Sequence, residues 1–253
     1  REPVQYVVDE APFCGRSFAV RPGVLIPRPE TEELLRLVEA DARSGLLPQG
    51  GLLDVGTGSG CIAVTLAKLF PAARVEAWDI SEEALQVARE NARRHGANVC
   101  FRRCDLLEEA GKAQALPAES AGTFPEKRQH FSPQAQALSP APGQKTAPLA
   151  ALVSNPPYVL PSEEAQMAPE VCRWEPREAL FVPQEDPLLP YRALARLGRK
   201  RLAAGGKIYL ELNPLLAAQV EELLRAAGFG EVRLVEDFDK KLRFITGTNP
   251  FLC

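Results

Sequence analysis

The sequence predicts an α/β fold: a doubly wound, mostly parallel sheet of seven strands with helices on both faces. Strand-like and helix-like segments alternate along most of the chain, which is the pattern of parallel sheets. Glycines and acidic residues stand where the first strands end, as in sheets that bind ligands at their carboxyl edge. The apolar runs 231–236 and 242–247 have no helix between them, so they predict an antiparallel C-terminal hairpin.

An N-terminal unit precedes this alternation. Residues 4–26 hold two apolar runs around a turn punctuated by Pro and Gly, which predicts a small β element. Residues 31–42 carry acids in their first turn and apolar residues at helical spacing, which predicts a helix. We therefore expect an N-terminal β element and helix over residues 1–45, followed by the α/β domain over residues 46–253.

Within the α/β domain, the predicted elements follow one another with short connections. Strands are predicted at 51–55, 73–79, 98–104, 150–153 and 207–212, and helices at 61–70, 81–95, 187–204 and 214–228. Gly205-Gly206 is predicted to close the third of these helices.

Residues at about 108–149 break the rhythm of the domain. They contain six prolines between 117 and 148, and no Val or Ile occurs between Val99 and Val153. Such a segment buries too little apolar surface to offset its ordering entropy. We expect a low-complexity insertion, and a partner-binding segment is the alternative.

Composition excludes several classes of protein. The net charge of −3 disfavours nucleic acid as a direct substrate. No apolar run approaches the roughly 18 residues of a membrane span. The six cysteines form no CxxC pair and the two histidines lie far apart in sequence, so no metal site is predicted. We expect reduced thiols and a monomeric protein.

A glycine-rich loop follows the first strand of the domain, in "LLDVGTGSGC". Gly56, Gly58 and Gly60 alternate with Thr57 and Ser59 between a buried strand and a helix. Glycine lets a ligand approach the main chain, and the helix start offers free N–H groups. Cys61 stands where the dinucleotide fingerprint has Gly or Ala, which favours a cofactor without a pyrophosphate. A simple tight turn is the alternative.

Two acids end the next two strands. Asp79 is placed to accept both ribose hydroxyls of a nucleoside lying across the strand ends. Asp105 is placed to accept from an exocyclic adenine amine, with Leu106 against the ring. Each Asp alone could be a helix cap, but with the glycine loop they predict a nucleoside pocket.

The turn "NPPY" ends the fourth strand, beside this pocket. Pro156 and Pro157 fix the backbone, so that nearby carbonyls point at one spot. The Asn155 oxygen and the Pro156 carbonyl could hold a planar –NH₂ group, with Tyr158 as the ring that covers it. A proline turn capped by Asn is the structural alternative.

These motifs resemble those of a known family. "DVGTGSG", Asp79, Asp105 and "NPPY" together resemble a class I S-adenosylmethionine-dependent methyltransferase, a Rossmann-like fold, acting on a planar amino group. "VLIPRPETEELL" at 24–35, "WEPREAL" at 174–180 and "IYLELN" narrow the resemblance to the release-factor glutamine N5-methyltransferases of the HemK/PrmC type. It covers nearly the whole chain apart from 108–149.

The resemblance implies an activity, a cofactor and a partner. The cofactor would be S-adenosylmethionine, held by 56–60, Asp79, Asp105, Leu106 and Asn155. The acceptor would be the glutamine of a release factor's Gly-Gly-Gln loop, positioned by 155–158. Arg28 and Glu32 would shape the substrate entrance, with a purely structural ion pair as the alternative.

The resemblance also implies a cellular location, and this sequence differs from the family pattern in some places. The long form with "IPRPETE" is similar to the bacterial enzyme and its organelle counterpart, so a mitochondrial location is expected. Because the chain begins at Arg1, we expect a fragment or processed form. Family members usually carry an N-terminal helical domain, of which we expect at most a remnant before Arg1, and "FVPQEDPLL" stands in place of a Gly-rich stretch.

Three other functions stay open at this point. The acceptor could be adenine N6 in DNA or RNA, or a glutamine of a ribosomal protein. A non-enzymatic protein that binds S-adenosylmethionine is the third. The acidic pI of about 5.7 counts against nucleic acid, and the intact motifs count against loss of activity.

Overall fold

The computed structural model describes residues 2–111 and 147–250, and their fold is the predicted one. The strands are β1 Glu10–Phe13, β2 Arg16–Ala19, β3 Gly51–Val55, β4 Val75–Asp79, β5 Val99–Arg103, β6 Leu149–Ser154, β7 Leu202–Glu211, β8 Gly230–Glu236 and β9 Leu242–Thr248. The helices are α1 Val4–Val7, α2 Pro29–Arg43, α3 Cys61–Leu69, α4 Glu82–Arg94, α5 Leu106–Gly111, α6 Pro169–Trp174, α7 Arg177–Leu180, α8 Leu189–Arg201 and α9 Ala217–Ala226.

The seven-stranded sheet has the order β5-β4-β3-β6-β7-β9-β8. Strands β3 to β7 are parallel, whereas β9 runs antiparallel to both β7 and β8, which confirms the predicted hairpin. The chain moves outward from β3 to β5, then returns to place β6 on the other side of β3. The carboxyl ends of β3 and β6 therefore form the switch point where such sheets bind ligands.

Each face of the sheet buries its own layer of helices. One apolar core joins alternate strand residues, such as Val153 and Tyr209, to α2 and α3. The other joins the intervening residues, such as Leu152 and Leu210, to α8 and α9. Because both faces are covered, the central strands β3 and β6 are buried along their whole length, as their apolar runs predict.

The N-terminal unit differs in detail from the prediction. Strands β1 and β2 form the expected small antiparallel hairpin, but "YVVDE", read as a strand, begins in helix α1, passes through a turn and reaches β1 only at Glu10. The reason is that Val4, Val7 and Val8 are exposed, and only Tyr6 turns inward. Its hydroxyl donates to the Val24 carbonyl at 2.7 Å, so one side chain anchors this segment.

The predicted insertion is ordered at both ends. Residues 108–111 continue helix α5, where Ala110 is buried, and Leu149 begins β6. The rest of the predicted insertion, 112–146, lies outside the described residues. No helix among the described residues is long and apolar enough to cross a membrane.

The glycine pair 205–206 serves the sheet and does not close a helix. Helix α8 ends at Arg201, and both glycines lie inside β7. A Cβ at Gly206 would stand 2.8 Å from the Leu149 carbonyl oxygen. Glycine is required there because β6 and β7 approach closely where their register shifts.

Candidate active site

A cavity of about 600 Å³ lies at the carboxyl ends of β3 to β6, the predicted location. Its walls come mainly from six separated segments of the chain: residues 23–28 with Thr31, the loop 55–59, the end of β4 at 78–81, the end of β5 at 104–107, the turn 154–157, and residues within 176–183. The structure therefore brings together most of the residues that the sequence singled out.

The glycine loop is a main-chain cradle at the N-terminus of α3. Gly56 and Gly58 have φ of 73° and 53°, and a Cβ at either would meet no atom within 4 Å, so the backbone is open to a ligand. Thr57 and Ser59 line the cavity, whereas Gly60 does not. Gly60 lies behind the loop, where a Cβ would stand 2.9 Å from the Ala88 Cβ.

Asp54 holds this loop from inside. Its Oδ2 accepts from the Thr57 hydroxyl at 2.6 Å and from the Ala63 N–H at 3.1 Å. The side chain has no exposure to solvent, and its Oδ1 has no partner among the described residues. Burial raises the pKa of Asp54 to about 7, although both hydrogen bonds oppose that shift.

Asp79 ends β4 with both carboxylate oxygens already oriented. Oδ2 accepts from the Gly58 N–H at 2.8 Å, and Oδ1 accepts from the Ser81 N–H at 2.9 Å. Burial raises the pKa of Asp79, and the backbone donors lower it. Each oxygen has lone-pair capacity left, so the carboxylate can receive two further hydroxyl donors from a ligand in the cavity.

Asp105 both lines the cavity and caps a helix. Its Oδ1 accepts from the N–H of Leu107 at 2.7 Å and of Glu108 at 3.3 Å, at the start of α5. Leu106 lines the cavity as predicted. Sequence reasoning missed Ile80 and Leu107, which also line it and are 55% and 47% exposed. An apolar residue one or two positions after a strand-end acid was the available signal.

Asn155, Pro156 and Pro157 line the cavity beside the glycine loop. The Ser154 hydroxyl donates to the Val55 carbonyl at 2.6 Å, which ties the end of β6 to the end of β3. The Asn155 Nδ2 donates to the Thr31 Oγ1 at 3.1 Å. One end of the carboxamide is thus held by protein, and Asn155 stands at the cavity wall.

Tyr158 is placed differently from the prediction. It is not among the residues that line the cavity, so its ring does not cover a bound planar group. The ring packs against the core on the α8 and α9 side, and its hydroxyl donates to the Glu211 Oε1 at 2.9 Å. The rigid proline turn sends the chain away from the cavity, so the side chain points behind it.

Arg28 and Glu32 separate into different roles. Arg28 lines the cavity and forms an ion pair with Glu175, a carboxylate that also accepts from the Ile26 N–H at 3.1 Å. Glu32 does not line the cavity. It accepts from the Cys14 N–H at 2.8 Å and so connects α2 to the β1–β2 turn, which is a structural role.

Sequence reasoning also missed three buried polar residues that contact each other or the cavity residues Asn155 and Arg28: Thr31, Glu175 and Glu211. All are buried polar side chains, and Glu175 and Glu211 keep only 4% and 1% of their surface exposed. The signal for Glu211 was an acid inside the apolar run "IYLELN", because a buried acid needs specific partners. Thr31 and Glu175 lie within the quoted motifs "IPRPETE" and "WEPREAL".

Among the described residues, neither a metal centre nor a histidine is present in the cavity. No cluster of three or more His, Cys, Asp or Glu that could hold a metal occurs in 2–111 or 147–250. His95 lies at the surface against the Ser17 carbonyl, outside the cavity. The site offers a cradle for a ligand and oriented hydrogen-bond acceptors.

Comparisons with known proteins define the class. A family described as "Methyltransferase domain" matches residues 48–117. The fold is shared with a methyltransferase from Pyrococcus furiosus, at TM-score 0.55 and 16% identity over 94% of this chain and 91% of that one. It is also shared with a Thermus thermophilus 16S rRNA methyltransferase, at TM-score 0.56 and 17% identity over 94% and 49%. These likenesses confirm the predicted fold.

Sequence relatives define the family within that class. A release factor glutamine methyltransferase of Bacteroides thetaiotaomicron is 42% identical over 97% of this chain and 75% of its own length. Its counterpart in Chlorobaculum tepidum is 40% identical over 94% and 71%. This chain belongs to the release factor glutamine methyltransferase family, which confirms the resemblance seen in the sequence.

Proposed function

We propose that this protein transfers a methyl group from S-adenosylmethionine to the side-chain amide nitrogen of a glutamine in a peptide-chain release factor. The observation that carries the proposal is Asn155 at the wall of the cavity that the glycine loop and Asp79 also line. Family membership supports the same acceptor, because the relatives are named for it.

The described residues fit the cofactor. The open main chain at Gly56 and Gly58 suits a group that approaches the start of α3, and Asp79 is oriented to accept two ribose hydroxyls. Ile80, Leu106 and Leu107 offer apolar surface for an adenine ring. When bound, the cofactor supplies a methyl group activated by its sulfonium centre.

The residues of the turn 155–157 present the acceptor. An amide nitrogen is a weak nucleophile, so holding it in line at near-attack distance is the main requirement, and such positioning supplies roughly 7–11 kcal/mol. The Asn155 oxygen and the Pro156 carbonyl accept from its two N–H groups. Both acceptors favour the positive charge that develops on nitrogen during transfer.

Transfer of labelled methyl to a purified release factor tests this function. We expect incorporation into the release factor and none into a variant whose Gly-Gly-Gln glutamine is replaced by alanine. DNA, RNA and ribosomal proteins serve as competing acceptors. Preferred labelling of any of these, or equal labelling of the glutamine-free variant, would overturn the proposal.

We further propose that the protein acts as a monomer on protein and not on nucleic acid. The net charge of −3 supports a protein acceptor, because contacts to nucleic-acid phosphates usually require a basic face. We also propose a mitochondrial location, which the long-form segment "IPRPETE" supports. Light scattering of the purified chain and fractionation of cells test these two points; a stable dimer or a cytosolic pool alone would contradict them.

A further inference from the structure

Four side chains from three separate segments form one hydrogen-bonded network behind the cavity wall. The Asn155 Nδ2 donates to the Thr31 Oγ1 at 3.1 Å, and the Thr31 hydroxyl donates to the Glu211 Oε2 at 2.7 Å. The Tyr158 hydroxyl donates to the other oxygen, Oε1, at 2.9 Å. Thr31 and Glu211 are buried, at 2% and 1% exposure, so water does not replace these partners.

Glu211 determines which group donates and which accepts in each hydrogen bond of this network. An ionised carboxylate only accepts, so the single hydroxyl proton of Thr31 is committed to it. The Thr31 oxygen can then only accept from Asn155, which must present its NH₂ end. The carboxamide oxygen of Asn155 is consequently directed away from Thr31.

We propose that Thr31 and Glu211 are positioning residues that fix the orientation of the Asn155 carboxamide, so that its oxygen faces the acceptor amide. This inference rests on the proposed function and deepens it. The two ends of a carboxamide are nearly equal in size, so packing alone does not choose between them. In the reversed orientation, two NH₂ groups would face each other and the acceptor would be repelled.

The same orientation selects the acceptor. An oxygen of Asn155 and a carbonyl of Pro156 form an all-acceptor surface, which suits a glutamine –NH₂ and repels a glutamate carboxylate. Burial raises the pKa of Glu211 and the nearby Glu30 charge adds to that shift, while the hydrogen bonds from Thr31 and Tyr158 and the Arg243 charge oppose it. The accepting role of Glu211 rests on geometry, because each of its two oxygens receives a hydroxyl donor. Glu211 thus fixes one hydrogen-bonding arrangement of the Thr31 hydroxyl and the Asn155 carboxamide, which could otherwise adopt two.

Substitutions at Thr31 and Glu211 test the proposal on the full chain. Glu211→Gln keeps the shape but introduces an NH₂ that can donate to Thr31, and Thr31→Ala removes the link. We expect each to lower kcat for the release factor by about ten-fold or more. The Kd for S-adenosylmethionine should stay within about two-fold, and Thr31→Ser should keep most of the rate.

A matched control separates positioning from a loss of structure. Tyr209 lies two residues before Glu211 on β7, is buried, and donates its hydroxyl to the Asp41 Oδ2 at 2.8 Å. It does not line the cavity. Tyr209→Phe removes a buried hydrogen bond from the same strand and should leave kcat unchanged.

The decisive arm repeats Glu211→Gln in an Asn155→Asp background. A carboxylate has two equal oxygens, so it has no orientation for Thr31 to fix. If Glu211 acts through the Asn155 carboxamide, the loss caused by Glu211→Gln should shrink to about two-fold or less in that background. An equal loss in both backgrounds, or near-parental kcat for Glu211→Gln and Thr31→Ala, overturns the proposal.

A substrate-free measurement keeps the inference separate from the proposed function. The Asn155 side-chain amide can be assigned in ¹H–¹⁵N spectra by its absence in Asn155→Asp. We expect one of its protons to be shifted and protected from exchange in the parent, and to lose both features in Thr31→Ala and Glu211→Gln. If the parent methylates no release factor, the proposed function fails, and an unchanged amide signal in these variants refutes the positioning role independently.

Discussion

The two halves of the proposed active site are built in different ways. The cofactor half consists of the glycine loop, Asp79 and Asp105, and the acceptor half consists of Asn155, Thr31, Glu211 and Tyr158. In the cofactor half, side-chain oxygens receive backbone N–H groups that are 2 or 21 residues away in sequence. In the acceptor half, side chains bond to side chains across 53, 124 and 180 residues.

This difference explains how much of each half can be recognised from the sequence. Local main-chain contacts leave a motif at fixed spacing, so the sequence displays the cofactor half directly. Long-range side-chain contacts leave no spacing, so the sequence shows Asn155 in its turn, but only the folded chain shows that Thr31 and Glu211 lie behind it. The two halves should also fail separately when single residues are changed, and substitutions can test that separation.

Asn155→Ala should have the largest effect and should fall on the acceptor half alone. We expect methyl transfer to the release factor to drop by at least about 100-fold, because the amide loses an acceptor and is free to rotate. Asn155→Asp should retain more activity, since it keeps an acceptor oxygen. Single-turnover rates on saturated enzyme measure this; a near-parental rate for Asn155→Ala would make the turn a purely structural stop.

Asp79→Ala should act on the cofactor half, so that it weakens cofactor binding more than it lowers the rate. Losing a charged acceptor for ribose hydroxyls should cost about 1.5–3 kcal/mol and weaken S-adenosylmethionine binding roughly ten- to a hundred-fold. The rate at saturating cofactor should change far less than in Asn155→Ala. Calorimetry gives the Kd, and Glu83→Ala is the control, because Glu83 is an exposed acid on α4 outside the cavity. An unchanged Kd would show that the ribose lies elsewhere.

Asp54→Asn should change how the stability of the protein depends on pH, because Asp54 is buried behind the glycine loop of the cofactor half. Burial raises the pKa of Asp54 to about 7, so the folded state binds its proton more tightly than the unfolded state does. The parent should therefore lose stability relative to Asp54→Asn as the pH rises from about 4 to about 7, by several degrees in Tm. Thermal unfolding at a series of pH values checks this, and a difference that does not vary with pH would refute it.

Removing residues 112–146 should affect neither half. We expect a chain joined by about eight Gly and Ser residues to bind S-adenosylmethionine within a few-fold of the parent. The reason is that none of the cavity's described walls lies next to the joined ends. Calorimetry on a folded deletion variant decides the matter, and loss of binding would make the segment part of the site.

Most of the fold follows from the sequence, because periodicity and turn residues reflect local preferences. All seven strands of the sheet and its antiparallel end were predictable. "YVVDE" was misread because an apolar run does not reveal whether a sheet partner exists for it. Gly205-Gly206 was misread because close approach between β6 and β7 is a tertiary requirement with the same sequence signature as a helix stop.

In the candidate site, too, local motifs could be predicted from the sequence and tertiary contacts could not. Asp79 and the glycine loop lie where their motif places them, and Asn155 lies at the strand end. The roles of Tyr158, Glu32 and Glu211 could not be predicted, because each depends on which distant element it meets. A tyrosine beside a proline turn has the same local sequence whether it faces the ligand or the core.

The 180-residue separation between Thr31 and Glu211 sets the order in which the protein becomes competent. Closing so long a loop is entropically costly, and Glu211 ends β7, the last of the parallel strands along the chain. Strands β3 to β5 need only neighbouring segments to form the cofactor half. A chain that is still being synthesised, with β7 not yet made, therefore has the residues that hold a cofactor but not the carboxylate that orients the acceptor. Catalytic competence begins only once the nearly complete chain has closed.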